Sequence, residues 1–229
     1  MKNVFLSLSV VAIAFAFSGC SKNNSGPSNT ASVMFVNGCN GSSNIDTKVN
    51  NAKLSAASNL AYFHNSGYQT VTAGSVGINF YLTNQGTPLC NSTPTLTANT
   101  HYSIFAGGIV TAPTFVVTTD DLTAPTNGNA KVRVINLSTD TLNESFYIGV
   151  GTPKLDSNIS YGTVSPFFEV TATNGVQVLL QDPLKSSILA QIASQPFAAG
   201  KIYTIMLTGT YTATMGSAGY LTLTVISNN

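Results

Sequence analysis

The feature that most limits how this chain can fold is a set of matched blocks that recur about a hundred residues apart. Ser32-Val-Met-Phe-Val-Asn37 corresponds to Lys131-Val-Arg-Val-Ile-Asn136, Asn59-Leu-Ala-Tyr62 to Asn158-Ile-Ser-Tyr161, and Tyr68 to Phe167, all at an offset of 99. Gly77-Ile-Asn-Phe-Tyr-Leu82 then matches Gly175-Val-Gln-Val-Leu-Leu180, and His101-Tyr-Ser-Ile104 matches Ile202-Tyr-Thr-Ile205 at an offset of 101. The blocks keep one order, and the period is far too long for a solenoid. The chain therefore reads as one unit present twice.

Each copy reads as short strands separated by turn clusters. In the second copy strands are expected near Ala130–Leu137, Ser145–Val150, Pro166–Thr171, Gly175–Gln181, Ile188–Ala193, Lys201–Thr208 and Tyr220–Ser227. Alternation is plain in Val176, Val178 and Leu180 against Gln177 and Gln181. In the first of these strands Val132 and Val134 fall on one side and Lys131 and Arg133 on the other. No window sustains a helical period. The fold class is thus all-β, as two tandem Greek-key or immunoglobulin-like sandwiches. The first spans residues 32–122 and the second 130–229. Between them Thr123-Ala-Pro-Thr-Asn-Gly-Asn129 reads as a linker, because Pro and Asn-Gly interrupt regular structure.

The N-terminus sets the compartment. Lys2 precedes an apolar run from Val4 to Phe17, too short for a comfortable membrane span but suited to a secretion signal. Phe17-Ser18-Gly19-Cys20 resembles the cleavage box of bacterial lipoproteins, although Phe17 stands where leucine is usual. That resemblance implies a signal peptide over residues 1–19, with Cys20 as the lipidated first mature residue. Its acyl chains (palmitate among them) would hold the protein, each buried methylene adding about 0.8 kcal/mol. Residues 20–31 read as the anchor and a flexible tether reaching roughly 35 Å at most. Ser21 in the second mature position resembles the outer-membrane sorting default. The expected location is the outer membrane, on its periplasmic or outer face.

Only 7 % of residues are charged and the formal net charge is +1, against about a quarter charged in an ordinary soluble domain. Such a chain has no long-range field to steer it to nucleic acid. With 43 % hydrophobic residues it is also a poor candidate for disorder.

Ala130-Lys-Val-Arg-Val-Ile-Asn-Leu-Ser138, Ile159-Ser-Tyr-Gly-Thr-Val-Ser-Pro-Phe167 and Ala199-Gly-Lys-Ile-Tyr-Thr204 together resemble the bacterial domain-of-unknown-function family DUF4397. The second copy carries the clearer resemblance. The first departs from it, with Asn37-Gly-Cys in place of Asn136-Leu-Ser and Phe63-His-Asn in place of Gly162-Thr-Val. The resemblance implies an exported sandwich-like module and brings no activity or functional residue.

Candidate chemistry is sparse. Once Cys20 is lipidated, Cys39 and Cys90 remain, and in an oxidising compartment two such cysteines are expected to pair. Closing a loop of roughly fifty residues stabilises by about 4 kcal/mol in the chain-entropy model. Two buried thiols are the alternative. His64 and His101, the only histidines, lack the Cys or carboxylate partners of a zinc site, and His101 reads as a rim residue. Asp120-Asp121 falls at the junction, where turn solvation is a better reading than calcium binding. No nucleophile elbow or phosphate-binding loop is present. Asp140-Thr-Leu142 resembles a short O-glycosylation acceptor, and a solvated turn explains it equally well. Of Phe167 and Phe168, adjacent on one strand, one must leave the core or enter the interface between sandwiches, and the same holds for Phe80 and Tyr81. Tyr62 and Tyr161 are expected to cap the cores with their hydroxyls on backbone.

The sequence thus predicts a non-enzymatic, lipid-anchored envelope protein for recognition or scaffolding, with no cofactor and no metal. Its partners would be the membrane, through the lipid, and an envelope protein or glycan. Glycan binding is the alternative reading.

Overall fold

Four apolar residues in a row, Val33 to Val36, place the first strand where both its faces are covered, since successive side chains on a strand point to opposite sides. The structure is a computed structural model that describes residues 29–140, 145–149, 154–157, 159–182, 184–185 and 187–229. The expected export signal, Cys20 and most of the expected tether lie outside the described residues. The first sandwich contains β1 (Thr30–Asn37), β2 (Ile45–Val49), β3 (Ala52–Lys53), β4 (Asn65–Thr72), β5 (Gly74–Ser75), β6 (Ile78–Leu82), β7 (Pro88–Ser92), β8 (Thr95–Leu96), β9 (His101–Ile109) and β10 (Ala112–Thr119). The second contains β11 (Asn129–Asn136), β12 (Ser145–Ile148), β13 (Lys154–Ser157), β14 (Phe168–Thr171), β15 (Thr173–Asp182), β16 (Ser187–Phe197), β17 (Ile202–Thr208) and β18 (Thr222–Ser227).

The fold is an all-β sandwich arrangement, as the alternation predicts. In the first sandwich one sheet runs β4-β1-β9-β10 and the other β3-β2-β6-β7; a small β5-β8 ribbon is added at the side. In the second the orders are β14-β11-β17-β18 and β13-β12-β15-β16. Strand for strand, the order is the same. β1 lies parallel to β9 with Ser32 opposite His101, and β11 lies parallel to β17 with Lys131 opposite Ile202. The sequence offsets of 99 and 101 are therefore also equivalences of register. In an immunoglobulin domain the first strand sits at a sheet edge; here it is interior, between the fourth strand and a parallel neighbour.

Two sequence expectations need amendment. β13 was not anticipated, because Lys154-Leu-Asp-Ser157 carries a single apolar residue and so shows no alternation. The first sandwich begins before residue 32, because Thr30 already pairs with Thr72 across β1 and β4.

Each sandwich has its own core. Val33, Phe35, Ile45, Ile78, Phe80 and Ile104 pack together in the first, with the Phe35 and Phe80 rings edge to face at 6.2 Å. Val132, Val134, Phe146, Val178, Leu180 and Ile205 do so in the second. A third cluster joins the two: Met34, Val36, Phe105 and Val116 from the first meet Ile135, Leu137, Met206 and Ile226 from the second. The sheets containing β1 and β11 thus face each other, and their central strands are covered on both sides.

Candidate functional site

The polar centre of this joint face starts from the alternation of β11. Val132 and Val134 turn into the second core, which sends Lys131 and Arg133 the other way. That other way is not solvent. Arg133 is 1 % exposed and is the largest fully buried side chain described; Lys131 is 7 % exposed. The neighbouring sandwich covers this face of β11.

Arg133 Nη2 donates to Asp120 Oδ1 at 2.5 Å, Nη1 to the Thr119 carbonyl at 3.0 Å and Nε to Thr204 Oγ1 at 2.9 Å. Its guanidinium lies 4.6 Å from the Phe167 ring centre. Phe167 is thus the member of its pair that leaves the core. Asp120 accepts further bonds from Tyr68 Oη at 2.5 Å and Ser103 Oγ at 2.6 Å. Asn228 completes the group, donating to Tyr68 Oη at 3.3 Å and accepting from Thr204 Oγ1 at 2.8 Å. Burial, together with the adjacent Asp120 charge, pushes the Tyr68 phenol well above its ordinary range. The phenol therefore stays protonated and serves Asp120 as a donor.

Asp121, the next residue, pairs with Lys131 Nζ at 2.7 Å. The Lys131 ammonium, helped by Thr123, lowers its carboxyl to about 2. Neighbouring aspartates thus each take one cation from β11. The residues read as a linker make their own bonds: Thr126 and Asn129 donate to Glu169, and Lys131 Nζ donates to the Thr123 carbonyl.

Apolar contacts seal the other end of the face. An atom placed as Cβ on Gly38 would stand 2.6 Å from Leu137, and one on Gly107 2.7 Å from Leu137. Glycine is needed at both positions for the Leu137 side chain to seat. Gly38 and Leu137 are equivalent positions in the two copies, so one copy's missing side chain receives the other's. The Tyr62 hydroxyl reaches across to Thr208 Oγ1 at 2.8 Å. It therefore bonds a side chain of the second sandwich, not backbone as expected, and burial pushes it up to about 12. Tyr161, its counterpart, is 37 % exposed. Phe63 beside Tyr62 has φ +70°, an uncommon conformation for a bulky residue, and stacks on Tyr62 at 3.7 Å. Its equivalent, Gly162, has φ +75°. The two turns share this conformation, and at Phe63 a bulky ring carries its strain.

The remaining candidates fall elsewhere. Cys39 and Cys90 are free thiols in the structure, and the expected bond between them is not made. Both pack at the first core, and the Cys90 thiol lies 3.5 Å from the Thr114 carbonyl. Burial pushes each up to about 12. His64 is exposed at a turn. His101 heads β9, interior to its sheet, and meets the Tyr68 ring edge-on at 5.4 Å. Phe80 is fully buried in the first core, and Tyr81, 9 % exposed, is covered by Lys48, whose Nζ lies 4.2 Å from the ring centre. Asp140 accepts from the amides of Tyr211 and Thr212, fixing the β17–β18 loop; residues 141–144 are not among those described. Among the described residues no three His, Cys, Asp or Glu side chains are grouped to hold a metal ion, and no helix is long and apolar enough to cross a membrane.

Sequence reasoning missed Arg133, Ser103, Thr204 and Asn228. One signal was available. In a chain this poor in charge, Lys and Arg on a strand whose copy reads Ser and Met is a place to expect a specific partner.

Comparison with known proteins gives two findings. The family model described as domain of unknown function (DUF4397) matches residues 31–147, slightly more than half of the chain. That match covers the first sandwich and runs through most of β12, so it falls on the copy that had seemed the more divergent. A crystal structure of a candidate cell adhesion protein from Bacteroides uniformis is 12 % identical, covering 88 % of this chain and 100 % of that one, with a TM-score of 0.25. A score that low does not establish a shared fold. No curated protein matches the chain.

Proposed function

Because the chain belongs to the DUF4397 family, whose description assigns no activity, we propose that it is a non-enzymatic, lipid-anchored protein of the bacterial outer membrane, acting by surface recognition or scaffolding. We infer also that its two sandwiches descend from one duplicated module; identical strand order and matching register support this.

The observation that carries the reading is how the six acidic side chains that the structure describes are used. Asp46, Asp120, Asp121, Asp140, Glu169 and Asp182 are each bonded within the chain, to Lys53, Arg133, Lys131, Thr212, Thr126 and the Leu184 amide respectively. Such groups position loops and the joint face. A catalytic carboxylate would instead be aimed at a substrate position.

Geometry supports an outward-facing role. Contacts near the starts of β1 and β11 centre on Asp120 and Arg133, and contacts at their ends centre on Gly38 and Leu137. The two strands therefore run the same way, and the loops after β1, β11 and β17 gather at the end away from the tether. Tyr211 and Met215, 42 % and 70 % exposed, lie in the last of these loops. Loops on a rigid sandwich are where binding residues usually sit.

Cell fractionation tests the anchor: the parent should be in the membrane fraction with an acyl group on Cys20, and Cys20→Ala should be released. Equal membrane retention of the variant would overturn the anchor. A glycan array probed with residues 21–229 tests the mode of recognition. Specific binding lost on replacing Tyr211 would replace the scaffolding reading with the glycan-binding one.

A further inference from the structure

The joint face repeats its own pattern under exchange of the two sandwiches. Met34 stands opposite Tyr68 on β4 and Ser103 on β9, while Arg133 stands opposite Thr204 on β17 beside Phe167. Asp120 and Asn228 are also equivalent, because their amides donate to the carbonyls of His101 and Ile202, the first residues of β9 and β17. The Asp120–Arg133 pair therefore has a twin position, formed by Asn228 and Met34, where no charge is present. Reciprocal use of the same patch is the mark of a two-fold interface.

We propose that this is a two-fold recognition face whose buried charge has been divided between the copies, so that it accepts the unlike sandwich and rejects the like one. Two second sandwiches would bring each Arg133 against Asn228, which offers no charge. Two first sandwiches would bring each Asp120 against Met34. Either pairing buries an uncompensated ion, whereas the unlike pairing satisfies both. The partner the face fits is thus the complementary sandwich, within one chain or exchanged reciprocally with a second copy. Leu137 against Gly38 and Gly107 adds a steric preference of the same sense. The inference rests on the two-fold equivalence and is independent of the anchor and of the envelope role.

The test is to move the pair to its twin position in the full chain. The starting point is D120N/R133M, in which both positions carry the uncharged residues of the other copy; replacing a buried pair by neutral groups is often tolerated. Adding M34R or N228D singly should lower the melting temperature by on the order of 10 °C, since each buries one unpaired ion. Adding both should recover most of that loss, because residues 34 and 228 then meet as 133 and 120 do in the parent. A thermodynamic cycle over these four chains reads the coupling directly. Recovery in the fourth chain supports the two-fold face. Additive losses would overturn it, and so would single additions with no effect.

Discussion

Arg133 and Asp120 meet across the two sandwiches with Nη2 and Oδ1 2.5 Å apart and side chains 2 % and 0 % exposed. Burying two charges costs several kcal/mol per ion, offset only when their hydrogen bonds are satisfied. Arg133 meets that condition through Thr204, Thr119 and Asp120, with the Phe167 ring beside it, and Asp120 through Tyr68 and Ser103. The contribution of such a pair is chiefly to position. One register of the two sheets satisfies the network, and a sheet sliding by a residue would leave its ions unpaired.

Removing one partner should therefore be costly. Arg133→Met is expected to destabilise by about 3–5 kcal/mol, because Asp120 is left buried and unpaired. Lys131→Met, whose partner Asp121 is 55 % exposed, should cost no more than about 1 kcal/mol. Guanidinium unfolding of the two variants side by side checks the contrast, and equal losses would contradict it.

The seat of Leu137 gives a steric prediction. Gly38→Ala and Gly107→Ala place a methyl within 2.6 and 2.7 Å of that side chain, and overpacking of this kind costs about 1–3 kcal/mol. Leu137→Ala should relieve part of the loss in either background. Thermal melts of the single and double variants would show this as non-additivity; strict additivity would place the collision elsewhere.

How much of this was legible beforehand follows from which signals are local. Alternation at Val176, Val178 and Leu180 is local, and it marked β15 correctly. The recurrence of blocks such as Val132-Arg-Val134 and Val33-Met-Phe35 was readable from their spacing, and both blocks fall on interior strands of their sheets. What covers the second face of β11 was not readable, because Lys131 and Arg133 look the same whether water or another sheet faces them. Only three-dimensional contact brings Asp120, at the end of β10, to Arg133. The missing side chain at Gly38 was visible as a departure from Leu137 in the matched block, but Leu137, which fills the space, is supplied by the other sandwich.

Acid should remove the contribution of the exposed pair. Asp121 is lowered to about 2 by the Lys131 ammonium and Thr123, against about 3.9 when unfolded. A carboxylate depressed on folding stabilises above its unfolded pKa, and that stability is lost as pH falls through the folded value. The stability difference between the parent and Asp121→Asn should be constant above about pH 4 and shrink between about pH 4 and pH 2. With the group largely exposed, the difference should stay under about 1 kcal/mol. Denaturant unfolding from pH 6 to pH 2 measures it, and a difference that grows on acidification would contradict the assignment.

Thiol reactivity offers an independent check on the first core. With Cys39 and Cys90 both pushed up to about 12 by burial, neither should alkylate appreciably at pH 8 while folded, since the thiolate is the reactive form. Both should react once the protein is denatured. Peptide mass mapping after brief iodoacetamide treatment reads both states, and rapid labelling of the folded protein would contradict the burial.

The roles given to Arg133, Asp120 and Leu137 depend on the two sandwiches being held as one body by the face around them. Residual dipolar couplings measured over β1–β10 and β11–β18 of the full chain test that most directly. A single alignment tensor fitting both sets in the orientation described is the predicted result. Two tensors of different magnitude, showing sandwiches that reorient independently, would contradict it.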